Sequence, residues 1–244
     1  MQADFIRPDW PAPRKVHALS TTRIGGVSIG SYASLNLGEH VGDSPQAVAA
    51  NRAQLQRYLH GAMPRWLSQV HGVRVTRDGD TTHAPADAAV TARRDVACTI
   101  MTADCLPVIF CDKAGTRVAA AHAGWRGLSA GVLEATLADM GGKPGDVMAW
   151  MGPAIGPKAY EVGEEVRRAF VAHSAEAAEA FTPGRAAGKW WCDLYLLARQ
   201  RLTAAGVKDV CGGGFCTFTD KERFFSFRRD GHCGRMATLV WLAD

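Results

Sequence analysis

Between residues 66 and 121 the chain passes through five short apolar segments, 66–70, 88–90, 97–102, 107–112 and 117–121, each bounded by turn residues. Runs of this length read as buried strands, and some of the connections between them are too short to hold a crossover helix. The sheet is therefore expected to be mixed rather than all parallel. Further strands are predicted at 16–21, 147–152 and 235–242. Helices are predicted in between. One is capped by Asp43 or Ser44, has Pro45 in its first turn and runs up to Gly61. A second covers 127–140, with Leu128, Val132, Leu133 and Leu137 on one side and the Gly141-Gly142 pair as its stop. Two more lie near 164–172 and 194–205. Glycines 25, 26 and 30 break 21–38 into a loop, and 175–187, poor in large apolar residues, reads as a surface excursion. The alternation of strands and helices makes this an α/β (α+β) chain.

No Pro/Gly/Ser-rich linker or repeat divides the 244 residues, and one domain is expected. The hydrophobic share of 47% is enough for a full core. A formal charge of +4, spread along the chain rather than gathered in a run, gives no support to nucleic-acid binding and leaves small anions as plausible partners. Seven cysteines without regular spacing point to a reducing compartment rather than a disulfide framework. Residues 1–14 lack the apolar core of a signal peptide, and no stretch approaches the ~20 apolar residues of a membrane span. A cytoplasmic protein without a membrane partner is expected; oligomeric state is not legible.

Three residues suggest chemistry. His71 ends Leu67-Ser68-Gln69-Val70-His71-Gly72, Cys105 interrupts Met101-Thr102-Ala103-Asp104-Cys105-Leu106-Pro107-Val108, and His122 sits in Ala120-Ala121-His122-Ala123-Gly124-Trp125-Arg126-Gly127. Two imidazoles and a thiolate suit zinc, and a missing fourth protein ligand leaves a position for water or substrate. Their wide spacing is unlike the tight CxxC pairs of structural zinc modules. A free Cys105 nucleophile with His122 as its base would look the same in sequence. His17, His40, His60, His83, His173 and His232 lack comparable surroundings, and none of the eight histidines forms the His-X-His pair that multicopper oxidases use.

These strings resemble the YfiH-like family. The likeness extends to Thr21-Thr22-Arg23-Ile24-Gly25-Gly26-Val27-Ser28, Ser34-Leu35-Asn36-Leu37-Gly38, Gly152-Pro153-Ala154-Ile155-Gly156, Tyr160-Glu161-Val162-Gly163, Cys216-Thr217, Phe224 to Gly231 and Gly234-Arg235. Ala154 and Phe227 depart from it, standing where many relatives carry Cys and Tyr. The family once bore laccase-domain or polyphenol oxidase labels and is regarded as zinc-dependent purine nucleoside phosphorylases with adenosine deaminase activity. The resemblance implies layered mixed sheets packed between helices, zinc on His71, Cys105 and His122, and purine nucleosides and inorganic phosphate as partners. The implied reaction converts adenosine, inosine, guanosine or methylthioadenosine to free base and ribose 1-phosphate. Arg23, Arg126 and Arg228 are the candidates for holding phosphate, and Asp104 for orienting an imidazole or exchanging a proton, against the plainer reading that it caps a turn. The alternatives are a hydrolase that edits peptidoglycan precursors and a copper-dependent polyphenol oxidase, with copper the less favoured metal.

Overall fold

The computed structural model describes residues 3–80 and 85–244; His83 lies outside them. Among the described residues the strands form three sheets. A five-stranded sheet runs in the order Phe5–Ile6 (β1), Val16–Thr21 (β2), Met236–Leu242 (β14), Val96–Thr102 (β6), Met63–Arg65 (β3). A six-stranded sheet runs Asp209–Gly212 (β13), Val147–Met151 (β9), Leu106–Asp112 (β7), Val118–Ala123 (β8), Ala88–Thr91 (β5), Val75–Thr76 (β4). A small antiparallel sheet joins Glu161–Gly163 (β10), Lys189–Cys192 (β12) and Phe181–Pro183 (β11). Both larger sheets are mixed: β3 pairs parallel with β6, and β13 and β4 pair parallel with β9 and β5, whereas the central pairs are antiparallel.

Side-chain alternation along the strands builds the layers. In β14, Ala237, Leu239 and Trp241 face Leu55, Leu59 and Ala62 in and just beyond the helix Pro45–Gln56 (α1), while Val240 and Leu242 face the other large sheet. In β7, Ile109 and Cys111 meet that sheet from the opposite side, and Leu106, Val108 and Phe110 point outward. Trp125–Ala130 (α2), Val132–Met140 (α3) and Leu194–Ala204 (α5) cover this outer face through Leu128, Leu133, Leu137, Leu197 and Leu202, with Glu164–Val171 (α4) and the small sheet continuing the same cluster. The result is helix, sheet, sheet, helix: layered mixed sheets packed between helices.

Several local expectations are corrected. The predicted strand at 66–70 is displaced to β3, and 66–70 keeps only one bridge, Ser68 to Pro85; His71 therefore sits in a loop and not at a strand end. Strand β8 runs to Ala123, which puts His122 inside it. The helix predicted over 127–140 is two, broken at Gly131, whose φ of 102° no continuous right-handed helix contains. The first helix stops at Gln56, short of Gly61. The supposed excursion at 175–187 holds a 3₁₀ helix, Ala175–Ala180, and β11, and buries Ala177, Ala180 and Phe181; small residues suit a close approach as well as a loop.

Candidate metal centre

Cys105 directly precedes β7 and His122 lies near the end of β8. The two strands are antiparallel, with Pro107 opposite His122 and Leu106 opposite Ala123, so one further step sets Cys105 across from Gly124. Strand periodicity turns Cys105 and His122 to the same face, the one toward the other large sheet. His71 approaches from the loop before β4. Cys105 Sγ and His71 Nε2 are 3.7 Å apart, and all three donor atoms lie within 4.8 Å of one another. Zinc bonds of ~2.3 Å to sulfur and ~2.0 Å to nitrogen place tetrahedral ligands ~3.5 Å apart, so this donor set fits such an ion. His122 is buried, Cys105 half-buried and His71 exposed, which leaves the open side of the site toward solvent. Gly124 has to be glycine. A Cβ there would lie 2.7 Å from His71 Cδ2 and 3.1 Å from Cys105 Sγ.

Behind the ligands stands Asp87, a fully buried carboxylate one residue before β5. Its Oδ1 meets His122 Nδ1 at 2.8 Å and accepts the His71 backbone N–H at 2.9 Å; its Oδ2 accepts the N–H groups of Val70 and Gly72 at 3.1 and 2.7 Å. With Nδ1 so engaged, Nε2 of His122 is the atom left for a metal. Burial works against ionisation of Asp87, but His122 and the N–H groups of Gly72 and Val70 outweigh it and hold the carboxyl below its ordinary range. Burial alone would push the Cys105 thiol up; the charge of His122 and hydrogen bonds from both histidines overcome it and hold the thiol below its ordinary value. His122 moves the opposite way, since the charges of Cys105 and Asp87 overcome the cost of burial. The site favours a thiolate, the form that binds metal. Sequence reasoning passed over Asp87; the available signal was a lone acid in the apolar run Ala86-Asp87-Ala88-Ala89-Val90.

The carboxylate on the His122 imidazole is thus Asp87 and not Asp104. Asp104 accepts from Thr217 Oγ1 and from the Arg228 backbone N–H, each at 2.6 Å, and its carbonyl accepts from Ile155 N at 2.9 Å. It anchors the short helix Phe227–Asp230 (α6) beside the His-Cys-His cluster. His71 and Asp104 have φ of 60° and 90°, conformations that cost a non-glycine residue about 1–3 kcal/mol and persist only when surrounding contacts impose them. Here those contacts are the hydrogen bonds just described. Arg126 and Arg228 share a cleft of about 260 Å³ with Trp125, Tyr160, Glu161 and Lys189. Arg228 donates to the Glu161 carbonyl at 2.7 Å and lies over the Tyr160 ring. Burial first, then the charges of Cys192 and Cys105, push the Tyr160 phenol up. Arg23 is not brought to the cleft. Its guanidinium donates to the carbonyls of Ala33 and Lys221, covers Phe225 and lines a separate cavity with Arg229 and Asp230.

Residues 17–243 match the family model described as multi-copper polyphenol oxidoreductase laccase. A Pseudomonas aeruginosa protein named as a purine nucleoside phosphorylase is 58% identical over 241 residues, covering 98% of this chain and 99% of its own. The Escherichia coli K12 purine nucleoside phosphorylase YfiH is 52% identical over 243 residues, 98% of each chain. Among solved structures, a Neisseria meningitidis protein of the DUF152 family superposes with a TM-score of 0.94 at 52% identity, over 98% of this chain and 99% of that one. Bacillus licheniformis YfiH superposes with a TM-score of 0.87 at 32% identity, over 93% of both. With this fold, this His-Cys-His cluster and these matches over nearly its whole length, the chain belongs to the YfiH family of enzymes, the family that the laccase-like model describes.

Proposed function

We propose that the protein is a cytoplasmic, single-domain, zinc-dependent purine nucleoside phosphorylase that also deaminates adenosine. The observation that carries the reading is the juxtaposition of a three-ligand His-Cys-His cluster, open on its solvent side, with a cleft bearing Arg126, Arg228 and Lys189. The names of relatives at 47–58% identity agree with it. Zinc held by His71, Cys105 and His122 would supply a Lewis acid and, for deamination, a water with its pKa brought toward ~7. The cations of the cleft hold inorganic phosphate as a nucleophile for C1′ of the ribose and offset the charge that builds as the bond to the purine breaks. Asp104 holds the backbone of Arg228 and so sets where that guanidinium stands. Arg23, which donates to the carbonyls of Ala33 and Lys221, braces the loop at 21–38 in this scheme.

Metal analysis with an assay of adenosine and inosine, with and without phosphate, tests the reading. One zinc per chain and phosphate-dependent release of free base, both lost in Cys105→Ala, are the expected results. Metal-loaded protein that leaves every purine nucleoside untouched would sink it. The description of the family model favours a second reading, copper-dependent oxidation of phenols. Against it, His71, Cys105 and His122 are, among the described residues, the one group of three or more His, Cys or acidic side chains near enough to share an ion, whereas multicopper chemistry needs several such groups. Copper in the purified protein together with phenol oxidation would revive it.

A further inference from the structure

We infer that Asp87 is a positioning residue that sets both histidine ligands at once. The two histidines come from different parts of the chain. His122 is carried by a central strand of the six-stranded sheet, and His71 by a loop with one bridge to hold it. A single buried carboxylate joins them. One oxygen, Oδ1, takes both the ring Nδ1 of His122 and the backbone N–H of His71, at 2.8 and 2.9 Å; the other closes the loop through the N–H groups of Val70 and Gly72.

All four partners on these oxygens are donors, and only a carboxylate offers acceptors on both sides. An amide of the same shape accepts at one oxygen and presents its own N–H₂ at the other. Whichever way Asn is turned, two donors face a donor, either at His122 and His71 or at Val70 and Gly72. Three consecutive N–H groups converging on one carboxylate also explain how His71 keeps a φ of 60° without a glycine. His122 is fixed as the tautomer protonated on Nδ1, with Nε2 as the ligating atom. Carboxylate, imidazole and metal in series is a general arrangement for orienting a ligand and strengthening its donor nitrogen. What is particular here is that the same carboxylate carries the backbone of the second histidine. This inference rests on reading His71, Cys105 and His122 as metal ligands, and not on the identity of the nucleoside.

The experiment is zinc and cobalt titration of metal-stripped wild-type and Asp87→Asn protein, with a chromophoric chelator as competitor, the visible spectrum of the cobalt form, and circular dichroism of the metal-free form. The expected result is a 10–100-fold weaker zinc affinity and an altered cobalt spectrum in a variant whose metal-free fold is retained. Because Asp87→Asn is buried and threatens folding, nitrogen NMR of histidine-labelled, zinc-loaded wild type supplies an independent measurement. It should show His122 protonated on Nδ1 and bound through Nε2. Equal zinc affinity in wild type and variant, or the opposite His122 tautomer, would overturn the role of Asp87 alone. Wild-type protein that takes up neither metal would overturn the metal centre and this inference with it.

Discussion

At the scale of single residues, the site is governed by what fits beside two histidines and a thiolate. Gly124 follows β8 where any side chain would strike the His71 ring, and a methyl group there would sit under 3.0 Å from Cδ2. Gly124→Ala should therefore push His71 off the shared ligand position and weaken zinc binding at least tenfold while leaving the sheet intact. Chelator competition and circular dichroism check both halves; full affinity in the variant would mean that His71 is not held where the geometry puts it. Tyr160 is the second residue-scale case. It is buried and lines the cleft, with the Arg228 guanidinium over its ring. Under the phosphorylase reading, Tyr160→Phe should raise the KM for phosphate more than it lowers kcat, by roughly tenfold if one hydrogen bond to a charged group is lost. Steady-state kinetics with phosphate as the varied substrate decide it. His71 and His122 stood out because their apolar runs end in glycine, and Cys105 because the string around it resembles the family's. Asp87 did not, since a lone acid in an apolar run reads equally well as an acid at a strand entry.

At the scale of elements, apolar pattern located most strands and helices and failed where a backbone conformation overrode it. The run over 127–140 has helical spacing throughout, yet Gly131 takes a left-handed φ and begins a second helix with a new axis. The two descriptions predict opposite signs for Gly131→Ala. In a continuous helix the change would stabilise by ~1 kcal/mol. At φ 102° it should destabilise by about 1–2 kcal/mol, although the nearest side-chain atoms, 3.6 Å away, leave room for the methyl. Urea unfolding settles the sign. Segment 66–70 failed for a different reason. Leu67 is buried and Trp66 half-buried, but Val70 is exposed, and the segment joins no strand beside β6 because that edge is already taken by β3. The loop it forms is what lets His71 turn back toward Asp87.

At the scale of the whole molecule, the two large sheets are tied together by burial between them and by a polar clamp at one edge. Arg65, on β3 of one sheet, donates to the Val90 carbonyl on β5 of the other and pairs with Asp78 at 3.0 Å, while Asp78 also accepts from the Thr91 hydroxyl and the Ala92 N–H. Burial opposes the charge on Asp78, but these partners outweigh it and hold the carboxyl below its ordinary range. Asp87 is depressed for the same kind of reason. A carboxyl whose folded pKa lies below its unfolded value of ~3.9 contributes fully above that value and loses its contribution as pH falls through the folded pKa. Stability should therefore fall below about pH 4, and Asp78→Asn should flatten that fall while lowering stability at neutral pH. Thermal unfolding of metal-free protein across pH 2–7 reads both, and an unchanged acid profile in the variant would remove Asp78 from the clamp.

From its sequence alone this chain disclosed the properties that neighbouring residues decide between them: where apolar runs begin and end, that short connections force mixed sheets, that a helix starts at Pro45 with Asp43 or Ser44 as its cap, and which three side chains carry the donor atoms of a candidate metal site. Only the tertiary structure decided which of those elements pair, that Gly131 divides a helix, that Arg126 and Arg228 share a cleft while Arg23 belongs to another, and that Asp87 rather than Asp104 serves the imidazole. The physical reason is range. Periodicity and capping depend on contacts a few residues apart, whereas the convergence of His71, Asp87, Cys105 and His122 depends on strand register and loop closure between segments that sequence spacing does not connect.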